Sequence, residues 1–139
     1  LSRVDLLMVN DGEARELSGD WNIHRAGRWI LAHGPKRVVI KQGEHGALLF
    51  DEAGVFAAPA FPLREVKDPT GAGDSFAGGF MGALASGGSL APDAMRRAVI
   101  YGSVLASFCV ERFSLDRFRT LTRAEIDERF EQFRRLTRF

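Results

Sequence analysis

The stretch richest in chemistry is Asp68-Pro69-Thr70-Gly71-Ala72-Gly73-Asp74-Ser75-Phe76-Ala77-Gly78-Gly79. Two glycines flank a small residue immediately before an expected helix. Such a turn can aim several backbone N–H groups at one point, and the helix N-terminus adds its partial positive charge there. The result is an anion nest suited to a phosphoryl group. Gly71 and Gly73 carry no side chain to block it. Asp74 follows directly, placed to accept a proton from an attacking hydroxyl. The plainer alternative is that Asp74 is a helix N-cap and the glycines a tight turn. The stretch is neither a Walker A loop, which requires Gly-x-x-x-x-Gly-Lys-Ser/Thr, nor a dinucleotide fingerprint, because Phe76 occupies the third glycine position. A dinucleotide-dependent oxidoreductase is therefore disfavoured.

A second group of polar residues lies near the start. Asn10-Asp11-Gly12-Glu13 follows the apolar run Val4–Val9, and Asn10 with Glu13 has the spacing of a capping box. Further on, Lys41, Gly43 and Gly46 sit where an apolar strand turns back on itself. The glycines there suit either close approach by a ligand or an ordinary hairpin turn.

The elements that must position these residues can be read from periodicity and punctuation. Residues 4–9 and 37–41 read as buried strands of a parallel sheet. Residues 46–50 and 54–57, separated by Asp51-Glu52-Ala53, read as a hairpin. Helices are expected over residues 10–17, stopped by Gly19, and over about 22–32, with Ile23, Ala26, Trp29 and Ile30 on one face. Gly34-Pro35 ends the second. Residues 59–69 read as irregular. Helices then run from the glycine turn to about Ala85 and from Pro92 to about Glu111. A last helix opens with the capping box Thr122-Arg123-Ala124-Glu125 and carries the stripe Ile126, Phe130, Phe133. Alternating strands and helices predict an α/β layered fold with a mainly parallel sheet and a hairpin. No fixed-period repeat and no low-complexity linker divides the chain, which reads as one domain.

Composition narrows the function classes. The chain has 139 residues, 45% hydrophobic and 27% charged, the balance of a globular domain. Its net charge of +1 gives no global field for nucleic acid. The arginines of residues 117–138 are interleaved with acids, so they read as a solvated helix face with i,i+4 pairs. Cys109 is the single cysteine, which leaves neither a disulfide framework nor a cysteine zinc site. His24, His33 and His45 lack metal-like spacing. The longest weakly polar stretch, residues 98–110, is too short to span a bilayer. No stretch reads as a signal peptide. No nucleic-acid or membrane partner and a cytoplasmic location are the expectations. The chain begins without Met and almost directly on a strand, so it is expected to be a piece of something longer.

The longer pattern adds a resemblance. Asp-Pro-Thr-Gly-Ala-Gly-Asp-Ser-Phe, residues 68–76, closely resembles the C-terminal signature of the ribokinase-like (PfkB) carbohydrate kinase family. Asn10 to Glu13 resembles that family's Asn-x-x-Glu motif. Residues 38–48, Val-Val-Ile-Lys-Gln-Gly-Glu-His-Gly-Ala-Leu, resemble its strand-turn-strand beside the nucleotide. The three occur in the family's order and cover nearly the whole chain, which corresponds to the C-terminal, nucleotide-binding half of a ribokinase-like α/β/α fold.

The resemblance implies an ATP-dependent transfer of the γ-phosphate to a hydroxymethyl group of a sugar, nucleoside or related small molecule. Asp74 matches the catalytic base, and the amides of Gly71, Ala72 and Gly73 match the anion hole. Asn10 and Glu13 match residues that position Mg²⁺ and the phosphates. Asp68 and Thr70 match positions that help bind an activating monovalent cation such as K⁺. Lys41, where ribokinases often carry Thr, stands with Gly43 and Gly46 near the nucleotide. The small residues around Gly102 and Ser103 match the adenine-side helix, although core packing explains them equally. A homodimeric whole protein is compatible with the resemblance. The family's first, glycine-rich signature and most of its acceptor pocket are absent. Residues 1–139 alone are therefore expected to be inactive, and a non-catalytic nucleotide-binding or structural fragment is the alternative.

Overall fold

A computed structural model describes residues 1–113 and 115–138. They fall into two compact units, Leu1–Ala58 and Pro59–Phe139.

The first unit is a four-stranded sheet with helices packed on it. Its order along the chain is β1 (Leu6–Asn10), α1 (Asp11–Ser18), α2 (Ile23–Ala32), β2 (Arg37–Lys41), β3 (Ala47–Asp51) and β4 (Gly54–Ala58). The strands lie in the order β1-β2-β3-β4. β1 pairs parallel with β2, with Asn10 opposite Lys41, while β2–β3 and β3–β4 are antiparallel. The α/β class and the hairpin stand, but the sheet is mixed rather than mainly parallel. Short apolar strands look alike in either direction; the connection decides. Only β1 to β2 has a helical crossover, whereas the links after β2 and β3 are too short for a parallel return. The core packs Ala14, Ile30, Val38, Ile40 and Phe50, with Leu7, Val9, Ile23, Leu31 and Leu48 against them. Trp29 leaves the face expected for it: it is 38% exposed and stacks on His33 with ring centroids 3.7 Å apart.

The second unit is helical after the irregular residues 59–69. It contains α3 (Ala72–Gly87), α4 (Pro92–Cys109) and α5 (Arg123–Leu136). Glycine sets the approach of α3 to α4 from both sides. A Cβ on Gly79 would lie 2.7 Å from the Tyr101 carbonyl oxygen, and one on Gly102 would lie 2.9 Å from that of Phe76. Such distances are shorter than side chains allow, so the helices meet backbone to backbone. α5 opens on the expected capping box and lays its apolar stripe inward. Phe130 and Phe133 join Val104 and Phe108 in the core, with Ile126 packed against them.

The arginines of this unit correct a second expectation. Arg123 with Asp127, and Arg134 with Glu131, are exposed pairs of the solvated kind. Arg117 and Arg129 are not: their side chains are only 14% and 15% exposed and converge on Glu111 at 3.2 and 2.6 Å. Arg129 also lies over the Phe108 ring at 3.6 Å. The desolvated guanidiniums gain cation–π contact there that a solvated face would not supply.

Candidate active site

Three of the described helices carry a carboxylate at their third residue, and the three starts are built differently. In α1 the Asn10 side chain accepts from the Glu13 N–H, and Glu13 Oε2 accepts from the Asn10 N–H, both at 2.7 Å. This is a closed capping box, so the capping alternative for these two residues is realised. The other oxygen of Glu13 has no partner among the described residues. α5 repeats the arrangement with Thr122 and Glu125.

α3 departs from both. Its N-cap is Gly71, in the left-handed region at φ 80°, and there is no side-chain cap. A residue with a side chain would be strained in this conformation. Asp74 is therefore the third helical residue and not the N-cap, which removes the plainer alternative raised for it. Its side chain is exposed and has no hydrogen-bond or ion-pair partner among the described residues. The Ala72 N–H donates to the Pro69 carbonyl at 3.2 Å. That amide, expected in the nest, is thus already used. The N–H groups of Gly71, Gly73 and Asp74 have no partner among the described residues. A helix start normally satisfies such donors with a side chain or water. No described side chain takes these donors and the adjacent carboxylate is exposed, so the arrangement can receive an anion and a proton together.

The turn leading to this helix start is held from beneath. Asp68 Oδ1 accepts from the Thr70 N–H at 2.9 Å. The Val110 carbonyl, at the end of α4, accepts from the Lys67 and Asp68 N–H groups at 2.8 and 3.5 Å. The Cys109 thiol donates to the Thr70 carbonyl at 3.5 Å. Sequence reading missed this support, because nothing in the spacing of a lone apolar cysteine shows which backbone it touches.

In the first unit, Asn10 and Lys41 are register partners at the carboxyl ends of parallel strands β1 and β2. Open α/β sheets bind ligands at those ends. Gly43 and Gly46 bound the short 3₁₀ turn Gly43–His45, with φ of 55° and 93°. The turn reading therefore holds, and the space where a Gly43 Cβ would stand is open. Ser103 is only 7% exposed within α4, which favours the packing explanation. No group of three or more metal-ligating side chains occurs among the described residues. None of the described helices is long and apolar enough to cross a membrane.

The sequence profile of the pfkB family carbohydrate kinases matches residues 1–119. The chain belongs to this family. Among its PfkB relatives, a cytidine kinase of Thermococcus kodakarensis is 41% identical over 90 residues, which cover 63% of this chain and 32% of that protein. A nucleoside kinase of Methanothermobacter thermautotrophicus is 40% identical over 107 residues, covering 77% and 32%. Among solved structures, the ribokinase of Thermotoga maritima matches with a TM-score of 0.77 at 31% identity, covering 94% of this chain and 43% of that one. The aminoimidazole riboside kinase of Salmonella enterica, complexed with aminoimidazole riboside and an ATP analogue, matches at 0.74 and 26%, covering 93% and 41%. The fold is ribokinase-like. The chain spans about a third of the length of these two curated PfkB relatives.

Proposed function

We propose that the whole protein carrying this chain is an ATP-dependent kinase that phosphorylates a hydroxymethyl group of a sugar or nucleoside. The observation that carries this reading is the open start of α3: three unpartnered amides beside the free, exposed carboxylate of Asp74.

The chemistry follows from that arrangement. Asp74 takes the proton of the acceptor hydroxyl as its oxygen forms a bond to the γ-phosphorus. The bond from phosphorus to the β,γ-bridging oxygen breaks, and ADP leaves. Charge on the transferring group falls on the N–H groups of Gly71, Gly73 and Asp74, and preorganised donors of this kind supply much of a catalyst's effect. Asn10, Lys41, Gly43 and Gly46 serve the nucleotide.

The donor chemistry suits Mg²⁺. A hard cation that keeps several waters needs only one or two protein carboxylates beside the phosphates. Glu13 has one oxygen outside the capping box to offer, directly or through water. When bound, the ion neutralises phosphate charge. Asp68 and Thr70 would serve a monovalent cation such as K⁺. The Asp68 carboxylate and the Thr70 hydroxyl are oxygen donors on one turn, with Asp68 Oδ1 also engaged by the Thr70 N–H. The acceptor site is assigned to the rest of the protein, so residues 1–139 alone transfer no phosphate at a useful rate.

The test is to assay the whole protein with ATP and Mg²⁺ against cytidine and other nucleosides, ribose, fructose and 5-dehydro-2-deoxygluconate. Phosphorylation of at least one of them supports the reading. A pure, folded protein that binds ATP and phosphorylates none favours a non-catalytic nucleotide-binding role.

A further inference from the structure

The thiol of Cys109 touches the backbone of the phosphate-facing turn from its inner side. It is fully buried, donates to the Thr70 carbonyl at 3.5 Å, and would lie 3.7 Å from a Cβ on Gly71. The Thr70 carbonyl and the Gly71 N–H belong to one peptide unit. That unit is planar and trans, so its carbonyl and its N–H point in opposite directions. Whatever holds the carbonyl inward aims the N–H outward. The neighbouring contacts act in the same sense. Val110 fixes the Lys67 and Asp68 N–H groups, and Asp68 fixes that of Thr70. Just beyond the end of α4, Glu111 is held by Arg117 and Arg129, and Arg129 also donates to the Ser107 hydroxyl at 3.1 Å.

We infer that Cys109 is a positioning residue for phosphoryl transfer: its thiol sets the orientation of the Thr70–Gly71 peptide and thereby aims the Gly71 N–H at the transferring group. The inference rests on the proposed kinase reading. A thiol is a weak donor, yet the cysteine is fully buried and nothing else described holds the Thr70 carbonyl. Losing one oxyanion-type donor outright costs about 10²–10³ in kcat. A donor misaimed rather than removed forfeits part of that, about tenfold.

The experiment compares Cys109→Val, Cys109→Ser and wild type in the whole protein. Valine keeps the bulk and removes the donor; serine keeps a donor. Expected are a kcat about tenfold lower for Cys109→Val, a KM for ATP unchanged within about twofold, and recovery of most of the rate by Cys109→Ser. Packing alone would give the reverse, with valine tolerated and serine impaired. Two measurements do not depend on turnover. The N–H residual dipolar coupling of Gly71, which reads the direction of that bond, should change in Cys109→Val and return in Cys109→Ser. The S–H Raman band of Cys109 in the wild type, identified by its loss in Cys109→Ser, should lie at the lower frequency of a hydrogen-bonded thiol. Full kcat in Cys109→Val, or an unshifted band with an unchanged Gly71 coupling, overturns the inference. A wild type that transfers no phosphate fails the kinase reading instead, and the band and the coupling then decide the contact itself.

Discussion

The starts of α5 and α3 place a carboxylate at the same helical position and use it in opposite ways. Glu125 reaches back to its own cap: its Oε2 accepts from the Thr122 N–H at 2.9 Å, while Oε1 receives Arg117. Those bonds, first the Thr122 backbone and then Arg117, hold its carboxyl down at about pKa 2. Asp74 is one methylene shorter and faces a cap without a side chain, so it bonds to nothing described. The first start spends its polar groups on the fold, and the second leaves them without a described partner. α1 stands between them, its box closed but one oxygen of Glu13 left over. Two features distinguish a helix start available for chemistry from one that is merely stable: the length of the third side chain and the presence of glycine at the cap.

Changing Asp74 breaks this contrast most severely. In the whole protein, Asp74→Asn should lower kcat about 10²–10⁴-fold, with ATP affinity little altered. Asp74→Glu should also lose rate, because the longer chain can fold back toward the Gly71 N–H as Glu125 does toward Thr122. Steady-state kinetics beside a direct nucleotide-binding titration reads both. Retention of more than half the wild-type kcat by Asp74→Asn would remove its role as base.

Glu13 tests the intermediate case. Glu13→Gln keeps an oxygen to accept the Asn10 N–H, since glutamine also closes a capping box. Thermal stability should therefore hold, while the Mg²⁺ concentration for half-maximal rate rises about tenfold, the scale of perturbing a metal's surroundings. A fall in Tm with an unchanged Mg²⁺ requirement would make Glu13 a cap and nothing more.

Glu125→Gln should have the smallest effect, and on stability alone. It retains the cap acceptor but loses the charge facing Arg117, so Tm at neutral pH should drop by about a degree or two. The folded-state pKa lies below the ordinary value of 4.5. The advantage of the native glutamate is therefore complete above about 4.5 and is lost as pH falls towards about 2. Melting curves of the two proteins should converge across that window. A gap that persists at pH 2 would assign the effect to packing.

Much of this was legible in the residues. The Thr122–Glu125 box, the Phe130 and Phe133 stripe and the bounds of β2 follow from spacing and side-chain chemistry, because those signals are local. The direction of strand pairing was less legible, since Leu6–Asn10 and Ala47–Asp51 are equally apolar and only the connections decide. The depth of Arg117 and Arg129 was hidden, because a guanidinium enters a core only where a ring such as Phe108 and an acid such as Glu111 meet it in space. At the site, the glycine turn and its acid could be read directly. That Ala72 donates to Pro69 while Gly71 and Gly73 stay free depends on the backbone torsions of one turn, which residue types do not specify.

The most direct test of the open start is an amide NMR titration of the whole protein with a non-hydrolysable ATP analogue and Mg²⁺, before any chemistry occurs. With ¹⁵N labels on glycine, aspartate, alanine and glutamate, the signals of Gly71, Gly73 and Asp74 should shift together at one apparent Kd, while those of Ala124 and Glu125 at the closed start of α5 stay in place. Saturating nucleotide that leaves the Gly71, Gly73 and Asp74 amides unmoved would contradict the account.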